Sequence, residues 1–201
     1  MNLLNIIKRN YLGKLSWLYA PEEWTINNGI LRITTPKRVD FFRDPSGVAS
    51  NDSAPLLYAN VKNNFITKLH LKPNFKQVYD QGSLIIRENE KKWCKLAFEK
   101  TDYGTNAIVS VITNDLSDDA NSVDINQDDI WLQIVRVNNT FGMQYSLDGI
   151  KWRMVRYFNL PVSTEVKVGL SAASPIGRGV NVDFLYFSIE SKTVSNIRHG
   201  H

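Results

Sequence analysis

The sequence contains one cysteine, Cys94, and only 3 histidines among 201 residues. A single cysteine excludes an internal disulfide framework and is typical of a reducing compartment. One thiol and scattered histidines also cannot assemble a zinc site with the usual ligand set. We therefore expect a chain without metal or cofactor. At this length it can bury enough apolar surface to fold without disulfides or bound metals.

Long apolar runs are also absent. No stretch approaches the roughly 20 apolar residues that a spanning helix needs. Lys8, Arg9 and Asn10 interrupt the apolar start of the chain, which therefore does not resemble a signal peptide. The net charge of +4 comes from scattered Lys and Arg residues and not from the concentrated basic patch of a nucleic-acid-binding protein. The sequence predicts a cytoplasmic protein with no membrane partner and no nucleic-acid partner.

Short segments of alternating polarity, separated by turn residues, dominate the chain instead. About ten of them read as strands: 29–34, 64–71, 82–87, 93–100, 107–113, 130–137, 141–146, 153–158, 166–172 and 180–189. Their number and spacing predict an all-β sandwich or barrel. We expect a single domain over residues 1–201, with its core at about 15–190 and a flexible C-terminal tail over 191–201.

One long polar stretch, residues 114–129, contains six aspartates and is predicted to be a loop. Its carboxylates are hard oxygen ligands of the kind that Ca²⁺ prefers, but the spaced acidic and glycine pattern of an EF-hand is missing. A solvated acidic loop is the favoured interpretation of such a charge run. The pattern leaves open whether this loop closes over the neighbouring sheet as a lid.

The segments 82–87 and 93–100 form a predicted hairpin with two different faces. Adjacent strand residues point to opposite sides, so Cys94, Leu96 and Phe98 share an apolar side that should face the core. Cys94 is accordingly interpreted as an inert packing thiol. The other, outward side mixes an indole, cations, a carboxylate and an amide: Gln81, Arg87, Trp93, Lys95 and Glu99. Such a mixture is typical of a sheet that contacts sugars.

An ordered series of short motifs runs through nearly the whole chain, from about residue 15 to 189. It comprises Asp40-Phe41-Phe42, Tyr79-Asp80-Gln81-Gly82, Trp93-x-Lys95, Glu99, Val109-Ser110-Val111-x-Thr113, Ser117-Asp118, Asp148-Gly149-x-x-Trp152, Arg156-x-Phe158, Val168-Gly169 and Ser174-Pro175. In this order the motifs resemble the DUF1349 family. The resemblance implies a concanavalin A-like β-sandwich, or jelly roll, of two antiparallel sheets, one of them concave. Relatives are linked with bacterial sugar metabolism and with regulation of a fungal enolase, and the family's own activity is undefined.

The resemblance and the outward face together predict a ligand site on the concave sheet for a small sugar or sugar-derived molecule. The candidate residues are Asp40, Phe42, Tyr79, Asp80, Gln81, Arg87, Trp93, Lys95, Glu99, Arg136 and Arg156. The rings would stack on the ligand, and the cations would bind a carboxylate or phosphate of the ligand. The remaining polar groups would form hydrogen bonds with its hydroxyls. Phe42 stands where tryptophan is common in the family, which keeps a ring and removes an indole donor.

Two other functions compete with sugar binding. The first is a regulatory module that binds a protein partner, such as a metabolic enzyme. The second is a glycosidase, which needs two carboxylates about 5–5.5 Å or 6.5–9.5 Å apart. The chain lacks the Glu-x-Asp-x-Glu motif of many glucanases with this fold, and only Glu99 with Asp40 or Asp80 qualifies as an acid/base set. Lys95 replaces a neighbouring carboxylate and is expected to form an exposed ion pair with Glu99, which favours binding over hydrolysis.

Overall fold

The computed structural model describes residues Met1 to His201 and contains sixteen strands and one short 3-10 helix, Leu3–Ile6. The strands are β1 (Ser16–Leu18), β2 (Glu23–Asn27), β3 (Ile30–Thr34), β4 (Phe41–Arg43), β5 (Ser50–Asp52), β6 (Leu56–Lys62), β7 (Phe65–Asn74), β8 (Gln81–Asn89), β9 (Lys92–Lys100), β10 (Asn106–Asn114), β11 (Leu116–Asp124), β12 (Ile130–Val137), β13 (Thr140–Ser146), β14 (Arg153–Asn159), β15 (Glu165–Ala173) and β16 (Asn181–Glu190). No helix combines the length and the apolarity that a membrane crossing would require.

Two antiparallel sheets of seven strands each form a β-sandwich of the jelly-roll type. The front sheet has the order β1-β6-β15-β8-β9-β10-β11, and the back sheet has the order β14-β13-β12-β7-β16-β3-β2. Strands β4 and β5 form a separate two-stranded ribbon. The predicted all-β sandwich is therefore confirmed, and each of the ten predicted segments falls on a strand.

The main core lies between the two sheets and consists of 32 buried residues. It receives alternate side chains from each strand, including Leu69 and Leu71 from β7 and Leu96 and Phe98 from β9. Cys94 is among them and is fully buried, as its position on the apolar side predicted. Burial raises the pKa of the Cys94 thiol to about 12, so it stays neutral and acts as packing.

The outer face of the front sheet is also covered, which the sequence pattern did not predict. The ribbon and its flanks fold over this face, and Phe41 and Val39 pack there on Trp93, Ile85 and neighbouring side chains. Trp93 is 1% exposed. The expectation of an open outward face is therefore wrong for the Trp93 end of the hairpin, because a segment some fifty residues away supplies a second apolar cluster.

Most of the acidic stretch is a strand, in contrast to the predicted loop, and residues 125–129 at its end form a loop. Leu116–Asp124 forms β11, which pairs antiparallel with β10 at the edge of the front sheet. A sharp turn with Asp115 at φ 68° joins the two strands. An edge strand can carry many charged side chains because its backbone pairs on one side while its side chains remain in water. Polarity alone therefore gave the wrong assignment.

The C-terminal residues contact the back sheet, where a loose tail was expected. The side-chain amides of Gln133 and Gln144 donate to the carbonyls of Gly200 and Ile197, at 3.0 and 2.7 Å. Both glutamines are buried, so water cannot easily replace the tail's carbonyls as their hydrogen-bond partners. The sequence of the tail contains no apolar repeat that would have predicted this contact.

Candidate functional site

A cavity of about 340 Å³ lies on the outer face of the front sheet, beside the ribbon. Its lining residues are Asp40, Phe42, Tyr79, Gln81, Lys95, Glu99, Val111, Asp119, Pro175 and Ile176. Two larger grooves, of about 800 and 560 Å³, run along the N-terminal segment and contain no carboxylate. The cavity beside the ribbon is therefore the candidate site, since apolar walls and several converging polar groups are what a small-molecule site needs.

The register of neighbouring strands determines which side chains form the floor of this cavity. Asp119 on β11 lies opposite Val111 on β10, which lies opposite Lys95 on β9. Glu99 lies four residues after Lys95 on the same face of β9, opposite Gln81 on β8. Side chains from four adjacent strands therefore meet above one patch of the sheet.

Lys95 is held by the ribbon and not by Glu99. Its Nζ donates to Asp40 Oδ1 and to the Phe41 carbonyl, both at 3.1 Å. The side chain of Lys95 is 4% exposed and that of Asp40 is 11% exposed. The expected exposed Lys95–Glu99 pair is therefore wrong. The ion pair that does form neutralises Lys95 and ties the ribbon to the sheet.

Glu99 is a buried carboxyl without a cation bonded to it. Gln81 Nε2 donates to Glu99 Oε2 at 2.9 Å, while Gln81 Oε1 is buried and has no hydrogen-bond partner. Burial raises the pKa of Glu99 to about 8, and the Asp40 and Asp119 carboxylates add to the rise against the opposing charge of Lys95. At neutral pH Glu99 is therefore mostly protonated and can donate a hydrogen bond.

Asp119 lies at the rim of the cavity. The residue as a whole is exposed, yet partial loss of hydration raises the pKa of its carboxyl, and Lys95 opposes the rise. Sequence reasoning missed Asp119 because it fell in the stretch assigned to a loop. The period-2 alternation of strands would have placed it opposite Val111 once β11 was recognised.

The walls of the cavity are mainly apolar and aromatic. Phe42 comes from the ribbon, while Pro175 and Ile176 come from the turn after β15. Tyr79 precedes β8 in a left-handed conformation with φ 67°, and its backbone N–H donates to the Lys100 carbonyl at 2.7 Å. Phe42 and Tyr79 were predicted from the sequence, and the other two wall residues carry no chemical signal that would have singled them out.

Asp80 does not line the cavity, contrary to the sequence-based expectation. It is fully buried, and its Oδ1 accepts from Ser174 Oγ at 2.6 Å. Its Oδ2 accepts from the backbone N–H groups of Lys76 and Gln77 at 2.9 and 2.8 Å. With these partners Asp80 has little capacity left for a ligand. It instead fixes Ser174, the residue directly before the Pro175-Ile176 wall.

The three candidate arginines are also engaged elsewhere. Arg87 Nη2 binds Asp52 Oδ2 at 2.9 Å under the ribbon. Arg136 donates to the carbonyls of Asn138 and Ser163 at 2.7 and 2.8 Å, and burial lowers its pKa. Arg156 on β14 binds Asp118 at 2.7 Å and so joins the edges of the two sheets. None of the three lines the cavity, and neither does the buried Trp93.

The raised pKa of Glu99 predicts a pH dependence of stability. Between the unfolded value near 4.5 and the folded value of about 8, the folded state binds a proton that the unfolded state does not. The free energy of unfolding therefore loses up to roughly 1.4 kcal/mol per pH unit as pH rises through this window. Glu99→Gln should remove this component, as measured by urea unfolding of both proteins at pH 5, 6.5 and 8.

Glu90→Gln is the matched control, since Glu90 is exposed in the β8–β9 turn. The stability of the Glu90 variant should follow the wild type at every pH. A constant difference between wild type and Glu99→Gln over this range would contradict the assignment of a protonated Glu99.

Comparison with known proteins identifies the family, the fold and a relative of similar length. The family model described as "Protein of unknown function (DUF1349)" matches residues 17–192. "Regulation of enolase protein 1" of Saccharomyces cerevisiae is 27% identical over 183 residues, which cover 90% of this chain and 92% of that protein. The crystal structure of a functionally unknown protein from Saccharomyces cerevisiae matches with a TM-score of 0.85 and 26% identity, covering 90% of this chain and 98% of that one.

More distant structures show the fold alone. The GH43 BlXynB protein from Bacillus licheniformis matches with a TM-score of 0.77 at 15% identity, over 95% of this chain and 39% of that one. The exoplasmic/lumenal domain of VIP36, in its Ca²⁺/Man3GlcNAc-bound form, matches with a TM-score of 0.61 at 10% identity, over 95% of this chain and 89% of that one. Both are similar to this chain in the arrangement of their sheets.

Proposed function

The chain belongs to the DUF1349 family, and we propose that it binds a small, polyhydroxylated ligand of the sugar class in the cavity beside the ribbon. The observation that carries the proposal is the lining of this cavity. Phe42 and Tyr79 line it with aromatic rings, and Gln81, Glu99 and Asp119 line it with hydrogen-bonding groups. Rings packing on the apolar face of a sugar and planar polar groups taking its hydroxyls are a general mode of recognition for such molecules.

The size and state of the cavity support the same proposal. Its volume of about 340 Å³ is near the lower end of the range for small-ligand sites, which suits a molecule of one or two sugar rings. Gln81 Oε1 is buried without a partner, and a ligand hydroxyl can satisfy it. The fold shared with the Man3GlcNAc-bound domain of VIP36 is consistent with this function but does not by itself assign it.

Phe42→Ala tests this proposal directly. In a calorimetric screen of neutral mono- and disaccharides, we expect at least one to bind the wild type, and the variant to bind it about tenfold more weakly because the stacking ring is lost. Tyr157→Ala is the matched control, since Tyr157 is exposed on β14 of the back sheet and should leave the affinity unchanged. Absence of binding by every saccharide at millimolar concentration, amino sugars included, would reject the proposal, as would equal losses in both variants.

A second candidate function is regulation of a metabolic enzyme through protein contact. The observation in its favour is the yeast relative named "Regulation of enolase protein 1", which this chain matches over nearly its full length. A protein partner recovered with the wild type and unaffected by Phe42→Ala would support it, because that variant alters the cavity and leaves other surfaces intact.

A further inference from the structure

The charges around the cavity indicate what its ligand carries. We propose that the ligand bears a protonated amine, which binds to Gln81 and Glu99 on the floor of the cavity, so that the site takes an amino sugar in preference to a neutral or an acidic one. This inference rests on the proposed function and names the ligand class for the same site.

The first argument is the balance of charge. Asp40 and Lys95 neutralise each other across 3.1 Å, so the single cation of the lining is already compensated. Glu99 and Asp119 take part in no ion pair. Besides that pair, the cavity presents the carboxyl groups of Asp119 and Glu99 and no free cation, and Glu99 is mostly protonated at neutral pH. A ligand carboxylate or phosphate would find no cation to pair with, which disfavours the acidic ligand that the sequence allowed.

The second argument is the supply of hydrogen-bond acceptors. Gln81 is 1% exposed, lines the cavity, and has a side-chain oxygen with no partner. This oxygen and the carboxyl group of Glu99, which lies opposite Gln81 in the strand pair, are both acceptors when Glu99 is ionised. An ammonium group has three donors and no acceptor, so it can satisfy both at once. A ligand hydroxyl has a single donor and can satisfy only one of them.

The aromatic wall adds to the preference. Phe42 and Tyr79 border the same cavity, and a ring face attracts a cation, more strongly where water is excluded. A neutral hydroxyl gains little from this field, and an anion is disfavoured by it.

Binding of a cation should also displace a proton. Before binding, Glu99 is mostly protonated near pH 7 because its burial and the facing carboxylates of Asp40, Asp119 and Asp102 together outweigh the opposing charge of Lys95. A bound ammonium group lowers the pKa of Glu99, so its proton passes to the buffer. Calorimetry at pH 7 in buffers of different ionisation enthalpy counts this proton, which a neutral sugar should not release.

The test uses matched probes that differ only at C6. Glucose, 6-amino-6-deoxyglucose and glucuronate carry a hydroxymethyl, an ammonium and a carboxylate there, and the galactose series provides the same set. At pH 7 we expect one amine to bind at least tenfold more tightly than its neutral counterpart, with proton release, and both uronates to bind undetectably. Glu99→Gln and Gln81→Met should each reduce this preference to less than threefold, and Glu99→Gln should abolish the proton release.

The outcomes separate this inference from the proposed function. Neutral sugars that bind as well as the amines, with binding weakened by Phe42→Ala, would overturn the inference and leave the proposed function in place. Tightest binding of a uronate would do the same. If none of the six probes binds and the neutral saccharide screen is also negative, both proposals fail. Glu90→Gln, the same substitution at an exposed position outside the cavity, should keep the wild-type preference.

Discussion

Replacing Lys95 with methionine is expected to lower the free energy of unfolding by about 3–5 kcal/mol, because the substitution leaves the largely buried Asp40 carboxylate without its partner. Asp40 Oδ1 would retain only the backbone N–H of Phe41, at 2.8 Å. The Phe41 carbonyl would also lose the donor that now lies 3.1 Å away. Urea unfolding followed by tryptophan fluorescence measures the change.

Two further variants test whether the loss of stability comes from the unpaired buried charge. Lys72→Met removes an exposed cation that lies 3.4 Å from Asp128, and such surface pairs contribute about 1 kcal/mol or less. The double variant Lys95→Met with Asp40→Asn should recover much of the loss, because it removes the unpaired buried charge. A double variant that is as unstable as Lys95→Met would show that packing of the lysine stem, and not charge pairing, holds the ribbon.

Trp93→Ala is the other substitution with a large expected effect, a loss of about 3–5 kcal/mol in the free energy of unfolding. The indole is 1% exposed and packs on Phe41 with ring centroids 6.3 Å apart. Its Nε1 donates to the Glu90 carbonyl at 3.3 Å. The alanine variant leaves a void between the ribbon and the front sheet, and thermal unfolding together with urea unfolding would register it.

A conservative variant separates packing from ligand contact. Trp93→Phe keeps a ring in the cluster and should cost much less stability, while sugar affinity stays at the wild-type value because Trp93 does not line the cavity. Trp152→Ala provides a control on the back sheet, where the partly buried ring contacts Lys68, and its cost should be smaller. A large loss of sugar affinity in a folded Trp93→Phe protein would restore the stacking role that the sequence predicted.

Sequence reasoning located six of the ten residues that line the candidate site. Gln81, Lys95 and Glu99 were found because strand alternation assigns them to one face, and Asp40, Phe42 and Tyr79 were found through the family resemblance. Asp80 and the three arginines lie outside the cavity. By residue type alone, a charged side chain near a face cannot be distinguished from one that binds backbone groups or a distant carboxylate. Asp119 was missed because a polar edge strand has no apolar period.

The alternation of polar and apolar residues along the chain was by itself enough to determine the all-β sandwich, the apolar side of each main strand and the burial of Cys94. These properties are local, since the backbone of a strand sends neighbouring side chains to opposite faces wherever it lies. Only the tertiary structure decided that the ribbon covers Trp93, that Lys95 pairs with Asp40 across 55 positions of sequence, and that Gln81 is left with an unsatisfied oxygen above a cavity. Those features depend on which distant segments meet, and no short-range pattern encodes that meeting.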